Sequence, residues 1–271
     1  MTRLPAGAGE FLDRWGLRPD GPVRSGACAQ VLPVVVRAGG TPAVLKLQPP
    51  DEETAGEPVA LRAWDGEGCV RLLADDPASG TMLLERLDAE RPLSALADVR
   101  AAVGVIAGLL ARLTARPAPP GLRRLGPLTE AMLAEVPAAA RTVRDPAARA
   151  VLLDCAGAAA EVAGEPGDRL LHWDLHYDNV LAGGRERWLA IDPKPLAGDP
   201  GFDLLPALVN RFDAGAVAWR FDLLTEALAL DRARAAAWTA ARVLQNLLWS
   251  LEDDDPLPPA QLAVATTLLR R

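Results

Sequence analysis

Short apolar runs separated by turn sequences in the first third of the chain predict β-strands. Segments 31–37 and 43–47 are rich in valine and leucine and flank the turn sequence Ala-Gly-Gly-Thr-Pro, so they predict a hairpin. Apolar residues at helical spacing predict a helix over 53–64, ended by the turn Asp-Gly-Glu-Gly. Two further strands are predicted at 69–73 and 81–87, on either side of a second turn.

Helical periodicity dominates the rest of the chain. The predicted helices cover residues 93–114, 128–136, 146–162, 203–212, 215–230, 231–251 and 259–269. Only 180–182 and 188–191 are predicted as strands there, in a short hairpin around a Gly-Gly pair. A sheet-rich front and a helix-rich back predict an α+β fold of two lobes, residues 1–88 and residues 89–271.

Composition limits the classes of protein that the chain can represent. Half of the residues are apolar and 24% are charged, which is the balance of a globular protein of enzyme size rather than of a disordered or fibrous one. No apolar run reaches the roughly 18 residues that span a bilayer, and the first residues lack a signal-peptide pattern, so we expect a cytoplasmic protein with no membrane partner. A formal net charge of -7 argues against nucleic acid as a partner and is compatible with a cationic substrate. We expect a monomer or a dimer.

The cysteines and lysines are few, and each type carries different information. Cys28, Cys69 and Cys155 are far apart and form no C-x-x-C motif, so they predict buried apolar residues rather than disulfides or a zinc site. Of the 29 lysines and arginines, only Lys46 and Lys194 are lysines. Where arginine replaces lysine almost everywhere, a retained lysine is a candidate for a position that needs a compact ammonium group. For Lys194, chance remains an alternative.

The segment 170–181 carries most of the candidate chemistry. Within eight residues it contains two histidines, two carboxylates and an amide, namely His172, Asp174, His176, Asp178 and Asn179. Asp192 follows the predicted strand 188–191 and, with Asn179, supplies oxygen ligands of the type that Mg²⁺ prefers. Asp174 is then free to accept a proton from a substrate hydroxyl. Phosphoryl transfer requires this division of labour.

The two histidines also allow a different interpretation. His172 and His176, with Asp174 between them, could supply imidazole and carboxylate ligands to the metal of a hydrolase. Such a site needs further ligands, and the chain has no other histidine and no paired cysteines.

The same residues match a known pattern. His172, Asp174 and Asn179 follow the sequence H-x-D-x-x-x-x-N, and Ile191-Asp192-Pro193 stands where kinase-like enzymes have their metal-binding aspartate. The form His-x-Asp-Leu-His resembles the aminoglycoside phosphotransferase superfamily. The longer runs HWDLHYDN and LAIDPKPLAGDP resemble its streptomycin 6-phosphotransferase and hydroxyurea phosphotransferase branch.

That resemblance implies a fold and a reaction. The fold is a bilobal, protein-kinase-like one, with a small antiparallel-sheet N-lobe that binds the nucleotide and a larger helical C-lobe. The reaction is ATP-dependent and Mg²⁺-dependent phosphorylation of a hydroxyl group on a small cationic molecule, with an aminoglycoside such as streptomycin as the leading acceptor. In this scheme Asp174 is the base, Asn179 and Asp192 hold Mg²⁺, and His172 and His176 support the loop.

The resemblance also implies a set of nucleotide-binding residues. Lys46 corresponds to the lysine that holds the α and β phosphates, with Glu57 as its ion-pair partner and Glu53 as the alternative. The segment that ends the last N-lobe strand, with Glu85 and Leu87, corresponds to the hinge whose backbone groups bind adenine. The glycine loop is reduced to residues 24–30, in which Gly26 is the single glycine.

The acceptor site and the final choice of function stay open at this level. Acidic and aromatic residues that a cationic acceptor could meet are Asp178, Asp199, Trp249, Glu252 and Asp253. The acids after 231–251 oppose the helix dipole, and a solvated loop explains them equally well. Asp203 is expected to cap the following helix and to tie it to the catalytic loop. The alternatives are a kinase of another small metabolite and a nucleotide-binding pseudokinase, against which the intact set Lys46, Asp174, Asn179 and Asp192 argues.

Overall fold

An antiparallel sheet forms the N-terminal part of the protein in the computed structural model, which describes residues 4–26 and 29–270. The elements are α1 (Ala8–Arg14), β1 (Leu17–Pro19), β2 (Arg24–Ser25), β3 (Gln30–Val36), β4 (Pro42–Leu47), α2 (Glu57–Trp64), β5 (Leu72–Asp76), β6 (Thr81–Glu85) and β7 (Asp88–Pro92). The strand order is β1-β3-β4-β6-β5, and β2 also pairs with β3. The predicted hairpin is confirmed as β3 and β4, in which Val31 lies opposite Lys46.

Helix α2 begins at Glu57 and not at the predicted residue 53. The Oδ1 atom of Asp51 accepts hydrogen bonds from the backbone N–H of Glu53 and from the N–H and hydroxyl of Thr54. An Asp that binds the backbone just ahead of it favours a turn over a helix. The helix therefore starts only after this turn.

Helices form most of the C-terminal part. The elements are α3 (Val99–Leu113), β8 (Arg123–Arg124), α4 (Leu125–Thr142), α5 (Pro146–Val162), β9 (Arg169–Leu171), β10 (Val180–Ala182), β11 (Trp188–Ala190), β12 (Leu196–Gly198), α6 (Leu205–Val209), α7 (Val217–Ala227), α8 (Arg232–Glu252) and α9 (Pro259–Leu269). Helix α8 is the central one: Asp231 caps its first turn, and it packs on α4, α5 and α9. No helix within residues 4–26 and 29–270 is long and apolar enough to cross a membrane.

Strand pairing links the two parts of the chain. The predicted hairpin at 180–191 is confirmed as β10 and β11, and β7 pairs with the other edge of β10. Cys69 forms an isolated bridge with Ala190, and the strand predicted at 69–73 is observed slightly later, as β5. These pairings connect β7 and Cys69 with the β10–β11 hairpin.

Two of the three cysteines confirm the prediction of buried apolar residues. Cys69 and Cys155 are buried and free, and burial raises the pKa of each thiol to about 12. Cys28 lies outside the described residues.

Candidate active site

An apolar cavity of about 290 Å³ lies between the N-terminal sheet and the β10–β11 hairpin. Val31, Val44 and Leu84 line it from the sheet, and Leu181 and Ile191 line it from the hairpin. Branched side chains on two sides form a slot that fits a flat, largely apolar ring.

The end of β6 and the segment that follows it border this cavity. Glu85 and Leu87 both line it. The Glu85 carboxylate is occupied, because it accepts hydrogen bonds from Arg185 Nε at 3.0 Å and from the backbone N–H of Arg71 at 3.1 Å. In the part of the chain that the structure describes, the Leu87 N–H has no hydrogen-bond partner.

Gly26 borders the same cavity from the loop before β3. Its N–H donates to the carbonyl of Ala29 at 2.8 Å. The intervening Ala27 and Cys28 lie outside the described residues.

Lys46 is the buried cation of the cavity. From β4 its Nζ donates to both carboxylate oxygens of Glu57 at 2.8 and 2.7 Å and to Asp192 Oδ1 at 2.5 Å. Burial alone would lower the pKa of Lys46, but the two carboxylates outweigh it and the pKa is raised. Lys46 thus pairs with Glu57, whereas Glu53 lies 3.8 Å from the Nζ of Lys194.

Asp203 fixes the backbone of the catalytic loop. Its two carboxylate oxygens accept the N–H groups of His172 and Trp173, each at 2.7 Å. Burial raises the pKa of Asp203 to about 7, although both hydrogen bonds oppose the shift. The expected cap of the following helix is absent: α6 starts after Leu204 with no side-chain cap, because both Asp203 oxygens are used by the loop.

Trp173 and Asp192 are held in an unfavourable backbone conformation. Their φ angles are +66° and +57°, in the left-handed region that side chains other than glycine rarely adopt. Such strain persists only where neighbouring contacts enforce it, and it is concentrated at functional sites. The contact of Asp203 with the Trp173 N–H, and that of Lys46 with Asp192, supply this enforcement.

His172 is a buried brace rather than a proton carrier. Its Nδ1 accepts the Asp174 N–H at 3.3 Å, so Nε2 carries the proton and donates to the Ile191 carbonyl at 3.0 Å. The imidazole also stacks against Trp64 of α2, with 6.2 Å between ring centroids. Burial lowers the pKa of His172 to about 4, despite the attraction of Asp174 for the charged form. The ring is therefore neutral at pH 7.

This depressed pKa predicts a specific pH dependence of stability. The folded pKa of about 4 lies below the ordinary value of 6.5, so the unfolded chain takes up the proton first as the pH falls. We expect the stability advantage of the wild type over His172→Gln to shrink by about 2 kcal/mol from pH 7 to pH 5. Urea denaturation of both proteins at each pH measures it. Other titrating groups are common to both proteins, and a difference that does not change with pH would contradict the account.

Asn179 and Asp192 present oxygen atoms to the cavity. The amide nitrogen of Asn179 donates to the Asp174 carbonyl at 2.9 Å, and its amide oxygen has no partner among the described residues. Burial would raise the pKa of Asp192, but Lys46 outweighs it and keeps this carboxylate ionised. Over the described ranges, no group of three or more His, Cys, Asp or Glu is arranged to hold a metal ion. Two oxygen donors beside a cavity instead fit Mg²⁺, which completes its shell with waters and phosphate oxygens.

A second cavity, of about 300 Å³, is bordered by Asp174. It is lined by Asp174, His176, Leu205, Pro206, Val209, Asn210, Arg242 and Asn246. Sequence analysis missed Asn210 and Arg242. The available signal for Arg242 was a single arginine inside the apolar run of α8, where it is buried and stacks over Trp173 and Trp249 at 5.0 and 5.3 Å.

The residues expected to meet the acceptor divide into two groups. Trp249 and Asp178 contact residues that line the second cavity: Trp249 stacks against Arg242, and Asp178 accepts a hydrogen bond at 3.1 Å from Asn210. Asp199 is buried and already bound to the Gly201 N–H and to Arg234 Nε. Glu252 and Asp253 are exposed at the end of α8 and line neither cavity.

Asp174 therefore stands next to both cavities, although it lines only the second. Its neighbours Asn179 and Lys194 line the first. His176 supports the loop beside it, since its Nδ1 accepts the Asp178 N–H at 3.2 Å. A carboxylate placed between a slot with a Lys–Glu pair and a polar cavity defines a small-molecule phosphotransferase of the protein-kinase-like class.

The chain belongs to the aminoglycoside/hydroxyurea antibiotic resistance kinase family, whose sequence profile matches residues 14–254. It is 65% identical to a hydroxyurea phosphotransferase of Kitasatospora aureofaciens, over 99% of this chain and 79% of that protein. It is 59% identical to a streptomycin 6-kinase of Streptomyces glaucescens, over 99% of this chain and 90% of that protein. The predicted family and its branch are confirmed.

Solved structures show the same fold at low sequence identity. A thermostable mutant of aminoglycoside phosphotransferase APH(4)-Ia, in a ternary complex with ADP and hygromycin B, matches with a TM-score of 0.64 and 14% identity. The match covers 98% of both chains. The predicted kinase-like α+β fold is confirmed.

Proposed function

We propose that this kinase transfers the γ-phosphoryl group of ATP to a hydroxyl group of streptomycin. The observation that carries the proposal is the position of Asp174, which lies between the apolar slot and the polar cavity. The identity of 59% to a streptomycin 6-kinase supports this acceptor. The enzyme acts in the cytoplasm, where ATP is available.

The catalytic step assigns one task to each group. The Asp174 carboxylate accepts the proton of the acceptor hydroxyl as the new oxygen–phosphorus bond forms and the bond to the β-phosphate oxygen breaks. His172 and His176 hold the loop, and Asp203 holds its backbone, so that the carboxylate is positioned before substrate binds.

Nucleotide binding is assigned to the N-lobe, residues 1–88, and catalysis and acceptor binding to the C-lobe, residues 89–271. Lys46, positioned by Glu57, binds the α and β phosphates. Adenine occupies the apolar slot and bonds to backbone groups of Glu85 and Leu87, and Gly26 lies over the phosphates.

Asn179 and Asp192 would hold Mg²⁺ through the oxygen atoms described above. When bound, Mg²⁺ neutralises charge on the phosphate oxygens. Asp192 also contacts Lys46, so the same carboxylate aligns the metal site with the phosphate-binding lysine.

Acceptor binding is assigned to the second cavity. Asp174, which lines it, and Asp178, which accepts a hydrogen bond from the lining residue Asn210, attract a cationic acceptor, and Trp249 supports the cavity wall by stacking against Arg242. We do not retain Asp199 for this task, because Arg234 neutralises it, nor Glu252 and Asp253, which lie outside the cavity.

Hydroxyurea is a second candidate acceptor. The identity of 65% to a hydroxyurea phosphotransferase favours it. The cavity is also lined by the guanidinium of Arg242 and the amide of Asn246. These groups suit a small neutral amide better than an acceptor with several positive charges. In this case Asp174 accepts the proton of the hydroxyl on nitrogen.

The two candidates are separated by acceptor-dependent ADP release in the presence of ATP and Mg²⁺. The panel contains streptomycin, other aminoglycosides, hydroxyurea and no acceptor, with Asp174→Ala as the blank. We expect streptomycin to raise ADP release well above the acceptor-free rate. Turnover with hydroxyurea alone would select the second candidate, and nucleotide binding without turnover on any member would refute both.

A further inference from the structure

Both lysines of the chain line the same cavity. Lys46 and Lys194 are among its lining residues, whereas no arginine is found among those described there. The chain uses arginine for every other basic position apart from its two histidines. Lysine is thus retained where a compact ammonium group faces this cavity.

The backbone of Lys194 is fixed to the catalytic loop. Its N–H donates to the carbonyl of His172 at 3.0 Å. Pro193 and Pro195 flank it, and proline restricts both its own φ angle and the conformation of the residue before it. The side chain therefore starts from a rigid point beside Asp174.

The ammonium group of Lys194 has unused hydrogen-bonding capacity. Its Nζ lies 3.6 Å from Asp174 Oδ2 and 3.8 Å from Glu53 Oε2. Both distances exceed the usual range for an N–H donor, and within residues 4–26 and 29–270 its Nζ makes no hydrogen bond. Lys46 differs in this respect, since its Nζ is buried and bonded to two carboxylates. The three N–H groups of the Lys194 ammonium are therefore free to donate, and they lie near both Asp174 and the nucleotide cavity.

We propose that Lys194 is a further catalytic residue, which binds the phosphoryl group while it passes from ATP to the acceptor. This inference rests on the proposed function. During transfer the bond from the γ-phosphorus to the β-phosphate oxygen breaks, the acceptor oxygen bonds to phosphorus, and the hydroxyl proton goes to Asp174. Lys194 stays protonated and donates to the oxygens of the transferred group, where negative charge must be held.

The ammonium also suits this place better than a guanidinium. At 3.6 Å an ammonium attracts the Asp174 carboxylate without bonding to it. An arginine would form a two-pronged pair with that carboxylate and occupy the base.

The test compares Lys194→Met with the wild type and with Glu53→Gln as control. We expect Lys194→Met to lower kcat by about 10²-fold to 10³-fold, the usual loss for one donor to a transition state, while KM for ATP changes less than about threefold. Glu53→Gln removes only the second contact and should keep kcat within about threefold of wild type. A Lys194→Met enzyme with wild-type kcat, or with only KM raised, would overturn the inference.

A chemical rescue separates a catalytic ammonium from a structural one. Lys194→Cys should be as slow as Lys194→Met, and alkylation with 2-bromoethylamine, which restores an ammonium at nearly the same reach, should recover most of the activity. Wild type treated in the same way is the control. A restored ammonium without restored turnover would contradict the role. A wild type that phosphorylates neither streptomycin nor hydroxyurea would instead overturn the proposed function itself.

Discussion

Asp174→Asn is expected to lower kcat by about 10³-fold, because the acceptor hydroxyl loses the group that takes its proton. The amide has nearly the same shape, and the Asn179 bond to the Asp174 backbone carbonyl remains. Affinity for Mg-nucleotide should change less than about threefold, since Asp174 does not line the nucleotide cavity. Single-turnover kinetics and calorimetric titration with Mg-ADP measure the two effects.

A matched control for this variant is Asp154→Asn. Asp154 lies exposed on α5, away from both cavities, so the same chemical change there should leave turnover at the wild-type level. Unchanged turnover in Asp174→Asn would refute its assignment as the base. A loss of nucleotide affinity as large as the loss of turnover would indicate a disturbed loop instead.

Asp192→Asn is expected to weaken the binding of Mg-nucleotide by about 10-fold to 100-fold, the range found when the support of a metal site is removed. The carboxylate is the only charged member of the proposed metal pair, and it also contacts Lys46. Titration with AMP-PNP, with and without Mg²⁺, separates these roles. If Asp192 is a metal ligand, most of the loss of nucleotide affinity in Asp192→Asn should vanish in the absence of Mg²⁺.

Two outcomes would count against the metal assignment of Asp192. One is wild-type affinity for Mg-nucleotide. The other is an equal loss with and without Mg²⁺, which would show that Asp192 acts only by orienting Lys46.

The catalytic loop and the two hairpins could be predicted from the sequence, because the residues that define them are adjacent in the chain. His172, Asp174 and Asn179 lie on one loop, which leads into β10. Asp192 follows β11, and β11 pairs with β10. Local patterns contain this information. Register within a helix is harder: Glu57 rather than Glu53 meets Lys46, because the turn at Asp51 delays the start of α2.

The second cavity, to which acceptor binding is assigned by proposal, could not be predicted in the same way. Its walls come from α6, α8 and the loop with Asp174, so Asn210 and Arg242 meet only after three distant segments pack together. Asp203 shows a related limit. Its sequence position is typical of a helix cap, yet burial next to the loop leaves the His172 and Trp173 N–H groups as its partners. Asp199 forms such a cap, over the turn before α6.

Analysis of the reaction product tests the central claim most directly. Wild type and Asp174→Asn are incubated with ATP, Mg²⁺ and streptomycin, and the acceptor is recovered for mass spectrometry and phosphorus NMR. The account predicts that wild type yields an acceptor carrying one additional phosphoryl group, bonded as a phosphate ester to a former hydroxyl, and that Asp174→Asn yields almost none. A parallel reaction contains hydroxyurea in place of streptomycin. The account would be contradicted if both acceptors were recovered unmodified from a wild-type enzyme that still binds Mg-ATP.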